Sequence, residues 1–171
     1  MAVPAFPVPP QIAPRGVNVH QARLHGLTVA VERVASWLTE VAASRGCGIA
    51  ELDYVLLTDA ELLELNREYL AHDTLTDVIT FDTSEGTTAG TPLCKVSGEC
   101  YISVERVREN ATTFGVAGET ELLRVMAHGL LHLCGLGDKT ELERREMSAA
   151  EEDALGLLPA DAPPVRFGTQ A

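Results

Sequence analysis

The segment AHGLLHLCGLGD, Ala127–Asp138, sets two histidines four residues apart on an apolar background and closes on a glycine-rich turn with an aspartate. On a helix, positions four apart differ by about 40° and rise by about 6 Å, so His128 and His132 share one face. Imidazole nitrogens bind zinc at about 2.0–2.1 Å, and two rings one turn apart can converge on one ion. Cys134 falls about 200° around the axis from His132 and points away, so it is not counted as a ligand. Gly135 and Gly137 stop the helix and let the chain reverse, which brings Asp138 toward the same ion. Three nitrogen and oxygen donors leave one position open for water, whose pKa a bound ion lowers. His128, His132 and Asp138 are therefore the expected ligands of one divalent metal ion, with Zn2+ as the first choice.

The same residues also allow plainer roles. A histidine pair at this spacing can serve packing or surface solvation, and Asp138 can instead help Thr140 cap the following helix. Leu130, Leu131 and Leu133 tip the balance, because they make this the most apolar part of the helix, where two histidines are costly to bury without a partner. Gly129 sits inside the helix at a cost of roughly 0.5–1 kcal/mol against alanine, which points to close approach of another backbone or of substrate.

Outward from this segment, periodicity and capping residues mark the remaining elements. Leu27, Val31, Val34, Leu38 and Val41 predict an amphipathic helix from Leu24 to Ala43, ending near Gly46. Ile49–Leu57 predicts a strand. Thr58 and Glu61 form a capping-box pattern for a short helix over Ala60–Tyr69, closed by a turn at His72 and Asp73. Asp77–Phe81 predicts a strand, Thr83–Pro92 a loop and Glu99–Ser103 the returning strand. Ser103 can cap a helix carrying Val104, Val107, Ala111 and Phe114, which Gly115 ends. The histidine helix starts at Gly118, with Glu119 and Glu121 in its first turn, and runs to Cys134. Thr140 and Glu143 open a last helix reaching about Leu155. Few strands with helices before and after predict an α+β domain, a small mixed β-sheet packed with helices.

A chain of 171 residues with 46% hydrophobic composition supports one domain with a substantial core. Eight of the nine prolines lie in the terminal segments, so a Pro-rich flexible N-terminus is expected over 1–16, the folded domain over 17–158 and a flexible tail over 159–171. No stretch has the apolar length of a signal peptide or a membrane span, and a cytoplasmic location follows as the expectation. The four cysteines form no Cys-x-x-Cys pair and are expected as small core residues without disulfides. A net charge of -12 argues against broad attraction to nucleic acid or anionic membrane, so any RNA contact must be local or helped by a partner.

Three segments in order carry a resemblance. HGLLHLCG, followed six residues after His132 by Asp138, resembles the His-Gly-x-Leu-His-Leu-x-Gly-Tyr-Asp-His signature of the YbeY family of bacterial endoribonucleases. LNREYLAHDTLTDVITFD, Leu65–Asp82, resembles that family's Leu-Asn-x-x-Tyr-Arg-x-Lys-Asp-x-Pro-Thr-Asp-Val-Leu-Ser-Phe segment, and SGECYIS, Ser97–Ser103, its Gly-Asp-Ile strand. The resemblance implies a zinc-type single-strand endoribonuclease that matures ribosomal RNA, particularly at the small-subunit 3′ end, and takes part in ribosome quality control. It also implies ribosomal or translation-associated protein partners, none of DNA or membrane, and a metal helix like that of zinc metalloproteases.

Carried over by residue, the ligands fall on His128, His132 and Asp138, the last replacing the usual histidine. A carboxylate is an accepted zinc ligand and also suits manganese or iron. The arginine that the family places after the tyrosine, a substrate contact, is Leu70 here, which leaves Arg67 as the candidate for that contact. The signature's Tyr-Asp becomes Leu136 and Gly137. No glutamate follows His128, where His-Glu-x-x-His proteases carry their general base, so peptide hydrolysis is disfavoured. Thr76 is a further candidate phosphate contact, and Glu99 is either a carboxylate behind the metal ligands or a strand-end solvent contact. His20, His25 and His72 are not expected as ligands. The alternative function is a non-catalytic assembly factor whose metal stabilises the fold.

Overall fold

The computed structural model describes residues 16–21, 26–70, 76–84 and 94–168. The Pro-rich stretch 1–15, His25 and the turn expected at His72 and Asp73 lie outside them. The elements are β1 Gly16–Gln21, β2 Leu27–Val29, α1 Val31–Ser44, β3 Cys47–Leu57, α2 Asp59–Leu70, β4 Val78–Asp82, β5 Cys94–Ser103, α3 Val104–Phe114, α4 Gly118–Leu133, α5 Glu141–Gly156 and β6 Val165–Phe167. The main sheet runs β1-β3-β5-β4, with β1, β3 and β5 parallel and β4 antiparallel at the edge. β2 and β6 form a separate antiparallel pair. This is the mixed α+β architecture that the sequence predicts.

Strand alternation divides the core in two. Leu52, Tyr54 and Leu56 of β3, with Cys100 and Ile102 of β5, pack with α1 and α4 in the larger cluster. Val55, Leu57, Ile79 and Tyr101 point the other way and pack with Leu62 and Leu65 of α2. Most of α4 is buried, including Leu122, Leu123, Met126, Leu130 and Leu131, because its apolar residues surround the axis and α3, α5 and the sheet cover them. Two polar contacts fix the helices against the sheet and each other. The Tyr54 hydroxyl donates to the Met126 carbonyl at 2.7 Å, and the Trp37 indole N–H donates to the Ala154 carbonyl at 2.7 Å.

The structure departs from the expectations at three places. Leu27 belongs to β2, and α1 starts only at Val31. Leu27 fits the helical spacing because its side chain enters the same core, but β2 is held by β6 and Ala30 N–H donates to the Pro164 carbonyl at 2.7 Å. For the same reason the expectation of a flexible tail from 159 onward needs correcting: Val165–Phe167 form β6, and Val165 is fully buried. The cysteine expectation also fails in part. Cys47 and Cys94 are partners in the parallel register of β3 and β5, with Cα atoms 4.5 Å apart, and are joined in a disulfide. Such pairing depends on strand register and leaves no local spacing signal. Cys100 is buried and free, as expected, and Cys134 is half-buried and free.

Candidate metal centre

The last turns of α4 carry His128 and His132 to the mouth of a cleft bounded by β4 and the turn into α5. That turn is built tightly. Gly135 takes the left-handed conformation at φ 105°, and Leu136 N–H returns to the Leu131 carbonyl at 3.0 Å. On the far side, Thr140 and Glu143 form a reciprocal capping box, and Lys139 N–H also donates to the Glu143 carboxylate at 2.9 Å. Thr140 thus has its own cap, and Asp138 turns toward the histidines.

Three ligand atoms converge there. His132 Nε2 lies 3.0 Å from His128 Nε2 and 3.2 Å from Asp138 Oδ2, and His128 Nε2 lies 3.6 Å from the same oxygen. The rear nitrogens are both engaged. His128 Nδ1 is 2.6 Å from Glu151 Oε1, and His132 Nδ1 is 2.9 Å from the Leu136 carbonyl. A carbonyl accepts only, so His132 Nδ1 carries the proton, and the Glu151 carboxylate assigns the same tautomer to His128. The two Nε2 atoms and the Asp138 carboxylate oxygen thus face one another around a point where one cation could sit.

The donor set fits a metal ion. A tetrahedral shell with bonds of about 2.0–2.1 Å has edges of about 3.3–3.4 Å, which the three separations bracket. Burial works to lower the His128 pKa, but the Glu151 hydrogen bond and the charges of Glu151, Asp77 and Asp138 hold it above its ordinary value. The same negative field favours a bound cation. Among the described residues, His128, His132 and Asp138 form a group that could hold a metal ion.

The cleft in front has a volume of about 840 Å³ and is lined by polar groups that include Asn66, Thr76, Asp77 and Lys139. Burial pushes the Asp77 carboxyl up, against the opposing pull of His128 and of backbone hydrogen bonds. Thr76, a candidate phosphate contact from the sequence, is one of the residues lining this cleft. Arg67 is exposed on α2, next to Asn66, and does not itself line the cleft.

Glu99 is not the carboxylate behind the ligands. It shares a face of β5 with Tyr101, whose hydroxyl donates to it at 2.8 Å, while Cys100 faces α4. That role falls to Glu151 of α5, which the sequence reading overlooked. Its signal was an acidic residue in the buried stripe of Met147, Ala150 and Ala154. His20 is at the other end of the molecule's sheet, 3.1 Å from Asp53 on the neighbouring strand. Gly129 also has its explanation in the sheet, since a Cβ there would lie 2.6 Å from the Cys100 sulfur.

A family model described as Endoribonuclease YbeY matches residues 18–158. The chain belongs to the YbeY endoribonuclease family. The Endoribonuclease YbeY of Phocaeicola vulgatus is 44% identical over 127 residues, covering 74% of this chain and 87% of its own. That of Bacteroides thetaiotaomicron is 45% identical over 121 residues, covering 71% and 83%. The solution structure of TM1509 from Thermotoga maritima superposes with a TM-score of 0.54 at 27% identity, covering 82% of this chain and 89% of that one. The YbeY match thus runs from within β1 to just past α5 and includes His128, His132 and Asp138. Among the described residues no helix is long and apolar enough to cross a membrane.

Proposed function

We propose that the chain is a metal-dependent endoribonuclease that cuts single-stranded RNA, acting in the cytoplasm in maturation of the small-subunit ribosomal RNA 3′ end and in ribosome quality control. Family membership supports the nuclease activity, and one observation carries the metal dependence: three acceptor atoms converge at the cleft with both histidines fixed from behind. His128, His132 and Asp138 would hold one divalent ion, with Zn2+ suited to two imidazoles and a carboxylate. A bound ion supplies Lewis acidity at the scissile phosphate and lowers the pKa of a neighbouring water.

The chain's own groups set the remaining roles. Glu151 and the Leu136 carbonyl keep the Nε2 lone pairs directed into the site, and with Nδ1 committed and Nε2 given to an ion, neither imidazole would be free to deprotonate a ribose 2′-hydroxyl. Water is therefore the expected nucleophile, leaving 5′-phosphate and 3′-hydroxyl ends. Thr76 and Lys139 line the cleft where phosphate oxygens would lie, and Arg67, exposed on α2 outside that lining, would meet the RNA beyond it.

The test uses nuclease-free, metal-loaded protein on single-stranded RNA. The parent should cut, the His128→Ala protein should not, and a substrate with 2′-deoxy at the cut should still react. Cyclic 2′,3′-phosphate ends would overturn the water mechanism. The net charge of -12 favours a second reading, a non-catalytic assembly factor that meets ribosomal or translation-associated proteins. Absence of any cleavage by metal-loaded parent would favour it.

A further inference from the structure

Behind the ligands, the Glu151 carboxylate is shared between two helical turns of α4. Oε1 faces His128 Nδ1 at 2.6 Å, and Oε2 lies 3.5 Å from Arg124 Nη1. Arg124 is four residues before His128 on the same helix, so both side chains leave the same face, one turn apart. The other nitrogens of the guanidinium face Glu152 at 2.8 Å and, as an ion pair without a hydrogen bond, Glu121 at 3.5 Å. Among the described residues, Glu121 and Glu151 are buried carboxylates. A carboxylate in that position needs a cation nearby, and a guanidinium can face three carboxylates through three separate nitrogens, which a compact ammonium does less readily.

We infer that Arg124 is a positioning residue for the metal centre: it fixes Glu151 so that the carboxylate holds His128 with Nδ1 protonated and Nε2 free to ligate. The inference rests on the metal-centre reading above and adds a residue that touches neither ion nor RNA. Outer partners of metal-bound histidines typically change affinity by about 10–100-fold when removed, and a residue one step further back belongs at the low end. Glu152 is exposed and meets a different nitrogen, Nη2, where solvent screens the pair, so it serves as the control.

The experiment compares the parent with Arg124→Met, Arg124→Lys and Glu152→Gln by two readouts. Zn2+ affinity is measured by competition with a chelator, and the His128 ring tautomer is read from nitrogen chemical shifts in metal-free protein. Arg124→Met should weaken Zn2+ binding by about tenfold and lose the single Nδ1–H tautomer. Arg124→Lys should recover part of both, and Glu152→Gln should stay within about twofold of the parent. If Arg124→Met destabilises the fold, the lysine variant, which keeps the charge, carries the comparison. Parent-like affinity and tautomer in both arginine variants would overturn the inference. If the parent binds no Zn2+, the proposed function fails, while the tautomer still decides whether Arg124 positions Glu151.

Discussion

A Cβ on Gly129 would lie 2.6 Å from the Cys100 sulfur and 3.4 Å from the Thr80 hydroxyl, so the absence of a side chain lets α4 lie against β4 and β5. Gly129→Ala gains helix propensity but overpacks this contact, and the net loss should be about 1–2 kcal/mol in urea unfolding. Adding Cys100→Ala should restore most of it; no restoration would mean the clash lies elsewhere. The ligands make the complementary prediction. His128→Ala or His132→Ala should abolish tight metal binding, Asp138→Ala should weaken it, and Asp138→His should retain it because an imidazole is an equally good donor. Elemental analysis and chelator titration check each. Parent-like retention by Asp138→Ala would remove Asp138 from the shell. Much of this site was legible because His128, His132 and Asp138 lie within one short segment. Glu151 was not, since its partner is on a different helix and only packing brings them together.

At the level of elements, what reads well from sequence is what is encoded locally. Ser103 accepts from Arg106 N–H, Gly115 ends α3 at φ 68°, and Thr140 with Glu143 forms the expected capping box. β1, β2 and β6 escaped because each is short and is specified by a partner strand distant in sequence, Leu27 by Phe167 and Val29 by Val165. The α5 cap carries a pH dependence. Backbone hydrogen bonds from Thr140 and then Lys139 hold the Glu143 carboxyl below its ordinary value. A depressed carboxyl stabilises the fold above its unfolded pKa, about 4.3, and loses that contribution as pH falls through the folded value. The stability advantage of the parent over Glu143→Gln should therefore be full above about pH 5 and vanish in stronger acid. A gap in melting temperature that is independent of pH would show that the charge is irrelevant to the cap. Thr140→Ala, which removes the other half of the box, should cost about 1 kcal/mol at any pH.

Across the whole molecule, the disulfide ties together the starts of two neighbouring central strands. Cys47 and Cys94 are 47 residues apart in sequence, and closing a loop of that length constrains the unfolded chain by about 4 kcal/mol in the chain-entropy account. Reduction, or Cys47→Ser, should lower unfolding stability by up to that amount while leaving metal affinity unchanged, since Cys94 opens β5 and the contact with α4 comes further along at Cys100. Equal stability with and without reductant would mean that the bond contributes nothing. The net charge of -12 acts at this scale too, disfavouring broad electrostatic attraction to RNA.

The β2–β6 pair has a consequence in time. Ribosomes deliver a chain from its N-terminus, so β2 emerges early and waits for β6 while the central sheet, α4 and the turn through Asp138 come out between them. Only when β6 arrives does Phe167 settle against Gly118 and donate its N–H to Glu119, closing the first turn of α4 from outside. The nascent chain thus passes through a stage in which all three ligand residues have been synthesised but the clasp on their helix is still open.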